Sequence, residues 1–301
     1  MYDTNIKNQA IKLYKENYSS NDIAELLNTS QRSVQRWIKL YNDTKKYNDN
    51  KNIKTKKNNS NLKEPKYLWQ LPDKFKPEKR IIGVFSDVHA PFTKLEYLDW
   101  LIKTFEENGV TDVVCGGDIV DFHCVSKHPT EPDARGVIDE FDDAYNVVQE
   151  YINAFPYLYY CIGNHDNRIE RMGAEVGLPN KFLKSFKEIF DIPDTWNINT
   201  THNINGVLYT HGTEFSSHNS LSTLNSTTHI STVIGHQHSL FGVIYNNNGY
   251  CNKMFAMCTG CLIDNDAYAF RYGKNSKFKP VLGCGIVKSD NEAYVIPYNE
   301  N

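Results

Sequence analysis

"RIIGVFSDVHAPF", residues 80–92, begins as an apolar run of strand length and ends in the polar pair Asp87-x-His89. An apolar run without polar alternation is the pattern of a strand covered on both faces, as in a parallel sheet. The same design recurs down the chain. "VTDVVCGGDIVDF" (110–122) ends in Asp118 and Asp121, and "YLYYCIGNHDNR" (157–168) ends in Asn164, His165 and Asp166. "GVLYTHG" (206–212) reaches His211, and "STVIGHQH" (231–238) reaches His236 and His238. Helix-periodic stretches intervene, "KLEYLDWLIKTFEENG" (94–109) and another over about residues 138–154. Strands alternating with helices predict α/β architecture, where sites assemble beyond the carboxyl ends of the strands.

The residues at those five ends are a chemical set. His236 and His238, two apart in extended chain, point their imidazoles to one side. One histidine in an apolar strand is most simply a core residue; five segments with such endings are not. Asp, Asn and His together, with no thiolate, suit two divalent transition ions better than Mg²⁺ or a structural zinc. Mn²⁺ is the first expectation, with Fe, Zn, Co or Ni as alternatives.

The ordered set D-x-H, G-D-x-x-D, G-N-H-D, H-G and G-H-x-H resembles the calcineurin-like metallophosphoesterase superfamily over about residues 80–290. The resemblance implies a four-layer α-β-β-α sandwich with a two-metal site. It implies that Asp87, His89 and His238 hold one metal, that Asn164, His211 and His236 hold the other, and that Asp118 bridges both. Paired cations lower the pKa of water and neutralise phosphate oxygens. His165 would serve the leaving oxygen as general acid, with Asp121 orienting it and favouring its protonated form. A turn cap is the other reading of Asp121.

Departures from the family narrow the substrate. Its Ser/Thr protein phosphatases carry Arg after the second Asp and Glu after Asn-His, where this chain has Phe122 and Asp166. A phosphoprotein substrate is therefore disfavoured. The G-N-H-D form is shared with double-strand-break repair nucleases and with cyclic-nucleotide phosphodiesterases. "DFHCVSKHPTEPDARG" (121–136) and "TGCLIDNDAYAF" (259–270) resemble phage-encoded members described as DNA-processing exonucleases.

Charge divides the chain. Residues 1–79 carry 17 Lys and Arg against 9 Asp and Glu, a balance of +8; the remainder carries 16 against 27, a balance of −11. A basic front on an acidic back argues for two modules. In the front, Ile6, Ala10 and Leu13 have helical spacing, and Ser19 with Asp22 forms a capping-box signature for a short helix with Ile23, Ala24 and Leu27 inside. Ser30 caps a third helix with Val34, Trp37 and Ile38 inside. This is a small all-α helix-turn-helix pattern, and about residues 5–41 resemble the modules of transposases, resolvases and terminase small subunits. Gln31, Arg32, Gln35 and Arg36 then face outward, with groups suited to base edges and phosphates. The other reading is a helical bundle for protein contacts.

These readings divide the chain into a helix-turn-helix domain at 1–41, an Asn/Lys-rich linker at 42–64 and a catalytic domain at 65–301, with "YLWQLPDKF" (67–75) packing on the last. No apolar run reaches the about 18 residues of a membrane span, the first residues lack a basic-then-apolar signal, and seven scattered cysteines suit a reducing compartment. The expected location is the cytoplasm, the bacterial host's for a phage-encoded chain. Lone Cys258-x-x-Cys261 reads as buried structural cysteines. His123 and His128 line a cleft or sit in a solvated loop. Lys127, Arg135, Arg168 and Arg171 are anion contacts or surface residues.

The expected function is a two-metal phosphodiesterase, a DNA nuclease localised by its front module. The alternative is a phosphoesterase acting on a cyclic nucleotide or another small phosphoester, with the helix-turn-helix serving regulation or assembly. DNA is the expected partner and no membrane is. Homo-oligomerisation and an ATPase, recombination or packaging partner stay open.

Overall fold

The structure, a computed structural model, describes residues 4–35, 37–39, 65–126, 136–215, 220–247, 253–267, 277–290 and 292–299. The expected linker, Arg36, Lys127, His128 and Arg135 lie outside these. The chain divides into two units, residues 1–63 and 64–301.

In the first unit, α1 (Thr4–Lys15) and α2 (Ser20–Leu26) precede α3, helical over 31–35 and 37–39. Ser19 caps α2 as expected: its Oγ accepts from Asp22 N at 3.2 Å while Asp22 Oδ2 accepts from Ser19 N at 3.3 Å. Ser30 Oγ accepts from Ser33 N at 3.2 Å, opening α3 in the same way. Each cap satisfies a backbone N–H that the first helical turn leaves unpaired. Ala10, Ile23, Ala24, Val34 and Trp37 form the buried core, with Leu13, Leu27 and Ile38 packed on it.

Among the described residues, the second unit holds two sheets. The first has the order β11 (Glu292–Pro297), β10 (Gly283–Ser289), β1 (Ile82–Phe85), β2 (Asp112–Cys115), β3 (Leu158–Cys161), β4 (Trp196–Asn199). Its last four strands run parallel, and β10 and β11 are antiparallel additions. The second sheet has the order β5 (Thr201–Ile204), β6 (Val207–Thr210), β7 (Ser231–Ile234), β9 (Met254–Thr259), β8 (Phe241–Asn246), with β6, β7 and β9 parallel.

The buried strands feed two cores by alternation. Ile82, Val84 and Val114 meet Tyr209, Val233 and Met257 between the sheets. Phe85, Val113 and Cys115 point the other way, into Leu101 and Phe105 of α4 (Leu95–Glu107) and Val148 and Tyr151 of α5 (Val137–Ala154). On the far side of the second sheet, Leu221 and Leu224 of α8 (Ser220–Thr228) cover Ile234, Ala256 and Cys258. The layers are therefore α-β-β-α. Shorter helices α6 (Arg168–Glu175) and α7 (Phe186–Ile189) follow β3. The lead-in packs as expected: Trp69 is buried and its Nε1 donates to Ala154 O at 3.1 Å.

Candidate metal centre

Every ligand expected from the sequence follows the carboxyl end of a parallel strand. Asp87 and His89 follow β1, Asp118 follows β2, and Asn164 follows β3. His211 follows β6, and His236 and His238 follow β7, so the second sheet supplies the remaining imidazoles. Four of these residues have left-handed backbones: Asp87 (φ 55°), His89 (51°), Asp118 (52°) and His236 (65°). Such conformations are uncommon outside glycine and persist where the surroundings enforce them, often at functional sites. Glycine makes the approach possible. A Cβ on Gly163 would run into Asp118, and one on Gly235 would meet Ser86 Oγ and lie 2.6 Å from Asp87 Oδ2.

The side chains converge in three groups, each with its ligand atoms within 4.8 Å of one another: Asp87, His89 and His238; His89, Asp118 and His165; Asp118, His211 and His236. Asp118 belongs to two of the groups, and Asn164 Oδ1 lies 3.0 Å from His211 Nε2. Two pairs of ring nitrogens face each other, His89 Nε2 with His238 Nε2 at 3.1 Å and His236 Nδ1 with His211 Nε2 at 3.2 Å. Facing nitrogens need a proton or a cation between them.

The outer nitrogens are already spoken for. His89 Nδ1 meets Asp121 Oδ2 at 2.7 Å, and His211 Nδ1 meets the Gly116 carbonyl at 2.8 Å. Each acceptor fixes a proton on Nδ1 and leaves Nε2 for the interior, the usual support of a metal-binding histidine. The carboxylates favour charge on two of these imidazoles. Burial lowers His89, but Asp121 and Asp87 outweigh it and raise it to about 10. Burial likewise opposes a charge on His211, and Asp118 lifts it to about 9. Buried Asp87 and Asp118 are both held below the ordinary carboxylate value, despite desolvation, by the surrounding histidines. Buried carboxylates whose counter-charges are protons on imidazoles fit a site for divalent cations.

Asp121, expected beside His165, faces two histidines. Its carboxylate takes the hydrogen bond of His89, while His165 Nδ1 lies 2.9 Å from its backbone carbonyl and 3.7 Å from Oδ2. Arg168 completes the group, with Nη2 3.1 Å from His165 Nε2. A carbonyl only accepts and a guanidinium only donates, so His165 is a neutral ring with its proton on Nδ1. Burial, reinforced by the His89 charge, pulls its pKa down to about 4. From the sequence Arg168 is expected as an anion contact or a surface residue; its contact with His165 spans the turn that precedes α6, at a spacing of three residues.

Asp166 braces the loops. Its Oδ2 accepts from Gly163 N at 2.7 Å, Asp118 N at 3.0 Å and Tyr160 OH at 2.7 Å, tying the turns after β2 and β3 together. Burial and the nearby Asp118 push this carboxyl up to about 6. Other sequence candidates fall elsewhere. His123 packs edge-on to Phe92, Arg171 is exposed, and Cys258 and Cys261 are buried thiols whose pKa burial raises. Gln31, Arg32 and Gln35 are exposed on α3, in the other unit.

A profile described as calcineurin-like phosphoesterase matches residues 81–256. The chain belongs to that family. A homeodomain-like profile matches residues 6–48, over the helix-turn-helix. Among curated proteins, none matches. Similar solved structures include Vacuolar Protein Sorting 29 from Cryptosporidium parvum, 12% identical over 73% of this chain and 92% of that one, with a TM-score of 0.40. The phosphoesterase Yfce from E. coli is 15% identical over 73% and 100%, with a TM-score of 0.34. A dimetal phosphatase from Danio rerio is 10% identical over 73% and 99%, with a TM-score of 0.36. Among the described residues, no helix of this phosphoesterase is long and apolar enough to cross a membrane.

Proposed function

We propose that this phosphoesterase is a two-metal phosphodiesterase that cleaves DNA and is localised by its front module. The supporting observation is the sharing of Asp118 between groups of imidazoles drawn from both sheets, in a chain that also carries a helix-turn-helix. Asp87, His89 and His238 would hold one ion, Asn164, His211 and His236 the other, and Asp118 both, with Mn²⁺ the favoured metal. Bound there, divalent ions supply Lewis-acid stabilisation of phosphate charge and an acidified water.

The chain's own residues do the rest. Asp121 and Gly116 fix two imidazoles through Nδ1, and Asp166 holds the loops that present Asp118 and Asn164. His165 meets the leaving oxygen. The proton it would deliver from Nε2 comes from solvent, once substrate takes the place of the Arg168 contact there, since the resting ring carries its proton on Nδ1. Exposed Arg32, with Gln31 and Gln35, would contact DNA.

A small phosphoester is the second reading, favoured by the balance of −11 over residues 80–301, which repels a polyanion at long range. One comparison separates the two. The variant Arg32→Ala with Arg36→Ala is assayed beside the wild type on long DNA and on bis(4-nitrophenyl) phosphate with Mn²⁺. The nuclease reading expects kcat/KM on DNA to fall by about 10-fold at moderate salt, since each lost phosphate contact weakens binding, while the small diester is hydrolysed as before. Equal DNA cleavage by both proteins moves the weight to the small phosphoester.

A further inference from the structure

His165 is gripped at both ring nitrogens, and both grips hang on one carbonyl. Its Nδ1 lies 2.9 Å from Asp121 O, and Arg168 Nη1 donates to the same oxygen at 2.8 Å. Arg168 Nη1 also donates to Phe122 O at 3.0 Å, and Nη2 reaches His165 Nε2 at 3.1 Å. Phe122 has a left-handed backbone (φ 54°), and its carbonyl and that of Asp121 both receive the one guanidinium nitrogen. Arg168 opens α6, so its anchor is the first turn of a helix rather than a loop. The Asp121 carboxylate, 3.5 Å from Nη1, balances the charge while serving His89.

We propose that Arg168 is the positioning residue for His165: it holds the Asp121 carbonyl that receives Nδ1 and, in the resting site, the Nε2 edge, so that the ring already points where the leaving oxygen is met when substrate displaces the Nε2 contact. This rests on the reading of His165 as the leaving-group residue. Without the guanidinium the ring loses its Nε2 partner and keeps its Nδ1 contact and the packing on His89, about which it can turn. Misplacement of about 1 Å in a reacting group can cost on the order of 10²-fold in rate.

The test is a double-mutant cycle in the full-length, Mn²⁺-loaded protein: wild type, Arg168→Met, His165→Ala and the pair. Each is assayed on a dinucleotide, whose alkoxide needs a proton to leave, and on bis(4-nitrophenyl) phosphate, whose nitrophenolate does not. Arg168→Met is expected to lower kcat on the dinucleotide by about 10-fold to 100-fold with KM little moved. On the nitrophenyl ester its loss is expected to be at least about tenfold smaller, and adding it to His165→Ala should cost nothing further. Arg168→Lys, which keeps the charge but cannot bridge two carbonyls and a ring, should fall between. Equal losses on both substrates, losses that multiply in the pair, or a rise in KM at constant kcat overturn the proposal. If His165→Ala keeps its dinucleotide rate, the reading of His165 fails first; if it loses the rate and Arg168→Met does not, only the present inference fails.

Discussion

His89 and Asp121 are locked together, Nδ1 to Oδ2 at 2.7 Å, with both side chains buried. The second aspartate of G-D-x-x-D therefore reaches the centre by way of an imidazole on a neighbouring strand's loop. Asp121→Asn keeps the size of the side chain but removes the charge that aims Nε2 inward. Such outer partners typically set metal affinity by about 10-fold to 100-fold. Mn²⁺ affinity by titration calorimetry is expected to fall in that range while the melting temperature barely changes. Unchanged affinity would mean that the carboxylate does not act through His89.

Gly235 gives a test of close approach. A methyl group there runs into Ser86 and comes within 2.6 Å of Asp87 Oδ2, and the backbone of His236 also donates to that oxygen at 2.8 Å. Gly235→Ala must displace Asp87 or the turn that carries His236. Metal affinity is expected to drop by at least about 10-fold, with circular dichroism of the folded protein retained. Normal Mn²⁺ binding by this variant would contradict the placement of Asp87 in the centre.

Asp112, at the start of β2, accepts from Lys76 at 2.8 Å and Arg80 at 2.7 Å, and the aspartate and the lysine side chain are buried. Asp112→Asn leaves the buried ammonium only the exposed Asp73 carboxylate, 3.5 Å away, and should cost up to about 3 kcal/mol in urea unfolding. Burial pushes the Asp112 carboxyl up, but hydrogen bonds from Lys76, Arg80 and Thr111 outweigh it and hold it below its usual value. A depressed folded value means the pair's contribution is complete above the unfolded value of about 3.9 and is lost as pH falls through the lower, folded one. Wild type should thus lose more stability than Asp112→Asn on acidification below about pH 4. Parallel curves would remove Asp112 from the acid response.

What the sequence disclosed follows from local physics. Parallel strands buried on both faces read as apolar runs, so β1, β2, β3, β6 and β7 were visible, each with its ligands just beyond. The Ser19 and Asp22 capping box was visible because it closes within one turn. The antiparallel β8 and β11 were not, since half-buried strands such as Phe241–Asn246 carry mixed polarity, and β10, though buried over Gly283–Val287, has two glycines and no chemical residue to mark it. Pairings set by tertiary geometry were also hidden. Asp121 serving His89 with its carboxylate and His165 with its carbonyl depends on left-handed turns at non-glycine residues. No residue type announces those turns.

Metal stoichiometry decides whether the centre takes two ions with Asp118 between them. Wild type and Asp118→Asn are loaded with Mn²⁺, freed of excess metal and measured by plasma mass spectrometry, alongside hydrolysis of bis(4-nitrophenyl) phosphate. Two ions per wild-type chain and metal-dependent hydrolysis are expected, with the loss of at least one ion and of nearly all turnover in Asp118→Asn. A wild-type chain that retains at most one ion, or that hydrolyses the diester equally well after chelation, would contradict a two-ion centre.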